Sequence, residues 1–244
     1  GEIAVASVIY DVPAMVVCSH VKGHIQAGYG GAIKNIAMGG VSSKHRECGW
    51  KCGRGAMHTV GEGKLSWNKE RCELCYQCEE ICPLETIKFD NELFTYKEED
   101  CWRCGRCTRV CPSGALSLPG DDERFMRSLA ESAMTVLSTF KKDKVIYINF
   151  LTEIQPECDC MPVADVPVMQ DQGILISDDI VAIEQASVDM LLKAPPLPQS
   201  ASEEKNIVKG DDILLELSEK PYWIQIQESE RLGLGRMEYE LIEI

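Results

Sequence analysis

The sequence predicts an α/β (or α+β) domain interrupted by a compact cysteine-rich insert, and three observations carry that prediction. Apolar runs of strand length alternate with stretches of helical spacing around the insert. Eight of the 13 cysteines crowd between Cys72 and Cys111, in two near-copies of one pattern. The 244 residues, 45% hydrophobic and 26% charged, suffice for one large or two small domains with a buried core.

Taken in order, Ala14-Met15-Val16-Val17-Cys18 reads as a buried strand that delivers Ser19 and His20 into a glycine-rich loop. Inside the insert, Ile87-Lys88-Phe89 and Ala115-Leu116-Ser117 are expected short strands. Phe125, Leu129, Ala133, Val136, Leu137 and Phe140 recur at helical spacing over residues 122–140. Lys144 to Leu151 reads as a strand, as does Gly173-Ile174-Leu175-Ile176. Ser177 is the expected cap of a helix that buries Ile180, Ile183, Ala186 and Leu191. The stretch 195–205 reads as a linker, and the tail 210–244 as one or two strands ending in Y-E-L-I-E-I. The resulting division is 1–67 and 119–194 for the two parts of the α/β domain, 68–118 for the insert, and 195–244 for linker and tail.

Charge narrows the functions available. The formal net charge of −14 argues against general nucleic-acid binding, which needs Lys and Arg on phosphates. No apolar run approaches the roughly 18 residues of a membrane span. The beginning of the chain lacks the basic, apolar and cleavage regions of a signal peptide, so a cytoplasmic location is expected. Against the acidic whole, residues 1–67 hold seven Lys/Arg and four Asp/Glu, all four histidines and 12 of the 19 glycines. That basic, His- and Gly-rich segment suits a small anionic ligand or a metal; otherwise its glycines only serve turns.

An odd cysteine count cannot pair fully within the chain, and a chain of this size needs no disulfide staples. Cys72-E-L-Cys75-Y-Q-Cys78-E-E-I-Cys82-Pro83 and Cys101-W-R-Cys104-G-R-Cys107-T-R-V-Cys111-Pro112 are both C-x2-C-x2-C-x3-C-P. This is the run of bacterial two-cluster ferredoxins, in which the fourth cysteine of each run ligates the other cluster. The expected ligand sets for two 4Fe-4S clusters are therefore Cys72, Cys75, Cys78 and Cys111, and Cys101, Cys104, Cys107 and Cys82. A structural zinc module shows paired C-x2-C units instead of four ligands twice over. The chemistry expected of the insert is single-electron transfer at low potential.

The flanking segments carry a resemblance. H-V-K-G-H-I-Q-A-G-Y-G-G-A-I-K-N-I-A-M-G at 20–39, P-E-C-D-C at 156–160, D-Q-G-I-L-I-S-D-D-I-V-A-I-E-Q-A-S-V-D at 171–189 and G-L-G-R-M-E-Y-E-L-I at 233–242 resemble the Domain of Unknown Function 362 family. The resemblance implies an α/β domain carrying two 4Fe-4S clusters, often in anaerobes, with no agreed reaction. It also implies a further α/β stretch ahead of Gly1, so the chain is expected to be a fragment or split subunit. Cys48 and Cys52, in R-E-C-G-W-K-C-G, are not part of that pattern.

A second constellation lies outside the insert. His20-x3-His24 would put two imidazoles on one face of a helical turn, and Cys158-x-Cys160 would present two thiolates from an extended loop, together suiting a third metal or a redox role. Cys18, in a strand, is expected to be packing. Gly28-Tyr29-Gly30-Gly31 before Lys34-Asn35 resembles an anion-binding turn entering a helix, although neither the P-loop nor the dinucleotide fingerprint is present. We expect His20, His24, Lys34 and Asn35 to line one pocket with Cys158 and Cys160 at its wall, at the carboxyl end of the first strand.

Three functions follow. The first is an electron-transfer protein or redox subunit serving a protein partner or a larger oxidoreductase complex. The second is a cluster-fed reductase or isomerase with its site at the His20/His24/Lys34 loop. The third is a metal-cofactor assembly factor using the spare Cys and His residues. Hydrolase and kinase motifs are absent from the sequence.

Overall fold

The computed structural model describes residues 3–42, 52–58, 64–101, 103–159 and 164–244. Cys48, His45 and Cys160 lie outside them. The chain begins with α1 (Ser7–Tyr10), β1 (Met15–His20), β2 (Lys22–His24), β3 (Gly28–Gly30), α2 (Ala32–Gly39) and α3 (Arg54–His58). The cysteine-rich stretch holds β4 (Ser66–Trp67), α4 (Gln77–Glu80), β5 (Ile87–Asp90), β6 (Leu93–Tyr96), α5 (Arg106–Arg109) and β7 (Leu116–Ser117). The chain continues with α6 (Asp122–Leu137), β8 (Val145–Leu151), β9 (Gly173–Ser177), α7 (Ile180–Leu191), α8 (Ala201–Glu204), α9 (Ile213–Ser218) and α10 (Trp223–Arg231).

The architecture is mixed α/β. Its main sheet has the order β1-β8-β9, with β1 parallel to β8 (Met15 beside Val145, His20 beside Phe150) and β9 antiparallel to β8 (Tyr147 beside Ser177). Side chains alternate between faces along each strand. Val17, Ser19, Val145, Tyr147, Asn149 and Leu151 are buried on one face. α2 and α7 pack on that face and α6 packs against α2, with Ile33, Ile36, Phe125, Leu129, Val181 and Ile183 in one continuous core. The other face is open: Val16 is 61%, Ile174 56% and Ile176 67% exposed. Cys18 stands on that open face, which corrects the expectation that it is packing.

Helix termini explain where the elements stop and start. Asp121 caps α6 by accepting from the Arg124 N–H at 2.8 Å, leaving an apolar stripe from Phe125 to Val136 facing the core. The cap of α7 is Asp179, which accepts from Val181 and Ala182 N–H, and not Ser177; the Ser177 hydroxyl receives the Asp179 N–H one step earlier.

The C-terminal part corrects the sequence reading. Residues 195–205 are packed, with Ser200 capping α8 and the buried Ser202 hydroxyl donating to the Val168 carbonyl at 2.8 Å. The region expected to hold strands instead forms α9 and α10, whose Ile213, Leu214, Ile224 and Ile226 enter the main core. The final Y-E-L-I-E-I is neither strand nor helix, and Leu241 and Ile242 are exposed.

A second, separate core of Leu65, Cys78, Ile87 and Leu116 lies in the cysteine-rich stretch, ringed by Trp67, Phe89, Phe94 and Tyr96. Two antiparallel ribbons, β4 with β7 and β5 with β6, frame it. The ends of the stretch meet in the first ribbon, so both cysteine runs depart from and return to one short ladder.

Candidate functional site

The two cysteine runs fold alike, residue by residue. In the first, Leu74 and Tyr76 have φ of 52° and 59°; in the second, the equivalent Arg103 and Gly105 have 57° and 74°. The third residue after each fourth cysteine repeats the match, with Glu85 at 51° and Gly114 at 57°. A left-handed conformation costs a non-glycine residue free energy, and the two loops use it at the same three positions, at Leu74, Tyr76 and Glu85 in one and Arg103, Gly105 and Gly114 in the other. Alternating right- and left-handed residues turn successive N–H groups inward, a concavity that suits anions and iron–sulfur sites. Accordingly, backbone N–H groups donate to sulfur: Thr86 to Cys82 at 3.4 Å, Ala115 to Cys111 at 3.2 Å and Arg103 to Cys101 at 3.4 Å.

The sulfurs group across the runs. Cys72, Cys75 and Cys78 line one small cavity with Cys111, from the other run. Cys82 conversely acts electrostatically on Cys101, Cys104 and Cys107. Burial pushes the Cys78 thiol up to about 11, with Cys111 and Cys75 adding to it. Burial also raises Cys107 to about 12, helped by Cys104, Cys101 and Cys82. Bare thiolates are thus disfavoured at Cys78 and Cys107, whereas burial is outweighed at Cys82 and Cys111 by hydrogen bonds that hold those thiols below the usual range. Among the described residues no three His, Cys, Asp or Glu side chains converge as a single ion requires. A cubane gives each thiolate a different iron, so four spread sulfurs with N–H donors fit such a group.

The two groups differ in setting. The first faces outward, with Cys75 and Tyr76 exposed. The second faces the α/β body. Arg109 of α5 pairs with Glu157 at 2.5 Å, next to the buried Cys158. Cys104, Pro83 and Arg106 form one wall of a cavity of about 290 Å³ whose other walls include His24, Lys34, Asn35, Arg54 and His58.

The predicted pocket is therefore partly assembled. Lys34 Nζ lies 3.2 Å from Cys158 Sγ, so the C-D-C loop does reach the Lys34 helix. His24, Lys34 and Asn35 share the cavity, whereas His20 and Cys158 are not among its described lining. β1 runs on through His20, so His20 and His24 occupy two strands and not one helical turn. His20 is held outside by Asp159 at 3.0 Å and the Thr152 carbonyl at 2.8 Å. His24 is buried, and its Nδ1 accepts the Gln26 and Ala27 N–H groups at 3.2 and 3.1 Å, which places its proton on Nε2. Burial, then the charge of Lys34, holds His24 far below the usual imidazole range and lowers His58 to about 4. Both rings stack on Phe125, 6.1 and 4.8 Å between centroids. Cys52 is buried and disulfide-bonded, although a chain of this size needs no such staple.

The glycine turn is also corrected. The entrance of α2 already holds a carboxylate: buried Glu184 accepts the Ala32 N–H at 2.6 Å and the Asn149 amide at 3.0 Å. A Cβ on Gly31 would come within 2.3 Å of Glu184 Oε1, so this glycine makes room for an internal carboxyl group, not an external anion. Sequence reasoning missed Glu184, Arg54 and Arg106; Glu184 lies in an apolar helical stretch, where a lone acid is the available signal.

No curated protein and no solved structure matches this chain. Residues 1–189, which span both the β1–β8 body and the cysteine runs, match the family described as a domain of unknown function, and the chain belongs to this DUF362 family.

Proposed function

We propose that this protein is an iron–sulfur electron-transfer protein or redox subunit holding two 4Fe-4S clusters, one on Cys72, Cys75, Cys78 and Cys111 and one on Cys101, Cys104, Cys107 and Cys82. The observation that carries the reading is the matched pair of cysteine loops, with identical left-handed positions and each sulfur group drawn from both runs. Such clusters, when bound, exchange single electrons at low potential. The chain's own residues hold the sulfurs in place. Backbone N–H groups at Thr86, Ala115 and Arg103 supply positive dipoles to them, and Phe89, Trp67 and Leu116 keep the first group dry. The exposed side of the first group, flanked by exposed Glu73 and Glu80, favours a redox partner with a basic docking face.

A second reading, a cluster-fed reductase, has one observation in its favour: the cavity of His24, Lys34 and Asn35 opens directly against Cys104. Replacing Cys82 separates right from wrong ligand assignments in either case. In Cys82→Ala, low-temperature electron paramagnetic resonance should show the centre on Cys101, Cys104 and Cys107 altered and the other intact. Alteration of only the Cys72–Cys78 centre contradicts the crossed assignment.

A further inference from the structure

The cavity between the α/β body and the second cysteine loop has a charge pattern at odds with the rest of the molecule. The chain carries a net −14, yet Lys34, Arg54 and Arg106 all reach this cavity and no acidic residue is among its described lining. Among the described residues, none of the three lies within ion-pair distance of a carboxylate. Four arginines elsewhere behave otherwise: Arg109, Arg124, Arg127 and Arg231 each meet a glutamate. Arg54 Nε is buried with no hydrogen-bond partner among the described residues, a donor shut off from water. A buried unpaired donor on a cation costs stability unless something fills its place.

The remaining wall adds directed donors. His24 uses Nδ1 on two backbone N–H groups, so its Nε2–H is the donor left to offer. Its ring and that of His58 are fixed by stacking on Phe125, and His58 is held further by Gln26 at 2.9 Å. Rigid donors and flexible cations from three separate segments thus converge on a space of about 290 Å³, near the lower end of small-ligand pockets. Guanidinium forks recognise the paired oxygens of carboxylate and phosphate alike.

From this we infer that the cavity is a binding site for a small multivalent oxyanion, a dicarboxylate or a phosphate, held by Lys34, Arg54 and Arg106 with His24 donating from the side. In its role the site rests on and deepens the electron-transfer reading, because Cys104 forms part of its wall, and an anion bound there adds negative charge beside the second centre and makes it harder to reduce. Binding itself rests on the body's cations and does not require that reading.

Calorimetric titration of the intact protein with malonate and with inorganic phosphate, at one ionic strength set with sodium chloride, tests it. Malonamide serves as the uncharged control. Saturable binding near one site per chain is expected for at least one anion, and malonate and phosphate titrated separately decide which class fits. Arg54→Gln and Arg106→Gln should each weaken it tenfold or more, while Lys142→Met, on the far side of the body, leaves it unchanged. Arg54 lies outside the cysteine runs, so its variant remains informative if Arg106→Gln disturbs the second loop. No saturable binding of either anion, equal binding of malonamide, or full affinity in Arg54→Gln overturns the site. Iron is measured on the same samples. Binding without iron keeps the site and removes the electron-transfer reading, whereas full iron without binding does the reverse.

Discussion

The α/β body and the cysteine-rich stretch hold themselves together by different physics. In the body, α2 and α7 cover one sheet face, α6 and α10 pack onto those helices, and side chains such as Phe125, Leu129 and Ile183 are essentially withdrawn from water. Burial on that scale supplies the main stabilising term of folding. The cysteine-rich stretch has Leu65, Cys78, Ile87 and Leu116 as its buried core, framed by two short ribbons. So small a core offsets little of the loss of chain entropy. The comparison teaches where the proposed clusters would matter most: on that reading, bonds from eight sulfurs stand in for the apolar core that the second region lacks.

The largest effect expected from this contrast is on metal removal. Chelation of iron under oxidising conditions should abolish hydrogen-exchange protection over residues 64–118 and leave β1, β8 and α6 protected. Equal loss in both regions, or retained protection in the cysteine-rich stretch, would break the comparison. Next in size, Phe125→Ala removes a fully buried ring on which both His24 and His58 stack. It should cost about 3–5 kcal/mol in urea unfolding followed by far-ultraviolet circular dichroism. A cost under about 1 kcal/mol would mean that the body is not burial-driven at this point.

A subtler effect concerns Glu184. Burial raises its carboxyl from the usual 4.5 to about 7, against the opposing hydrogen bonds from Asn149 and the Ala32 N–H. The folded protein therefore keeps a proton that the unfolded chain has released. Stability from this group is full at low pH, falls between about 4.5 and about 7, and is constant above. The melting temperature of the native protein minus that of Glu184→Gln should decline across that window and then level off. A difference that stays flat or rises with pH contradicts the assignment.

How much of this was legible in the sequence varied with the kind of signal. Strands β1, β8 and β9 and helices α6 and α7 announce themselves because each buries one face of a regular element, so periodicity reports them. The tail misled because Ile213, Leu214, Ile224 and Ile226 read as strand-like apolar residues, whereas their burial is decided by helices docking on a distant core. The cap at α7 was misplaced by two residues, since Ser177 and Asp179 are both competent and only the chain direction selects Asp179. The cysteine spacing exposed the candidate cluster ligands, but nothing in Leu74 or Tyr76 betrays a left-handed backbone. At the cavity, Lys34 and Asn35 were visible beside the glycine turn. Arg54 and Arg106 were not, because their convergence is made by tertiary contact between separate segments.

The central claim is that eight cysteines organise two iron–sulfur centres on a burial-driven body. Anaerobic purification followed by iron, acid-labile sulfide and zinc analysis tests it most directly. The account predicts about eight irons and about eight sulfides per chain, with no stoichiometric zinc. Zinc in place of iron, or iron without sulfide, would contradict it.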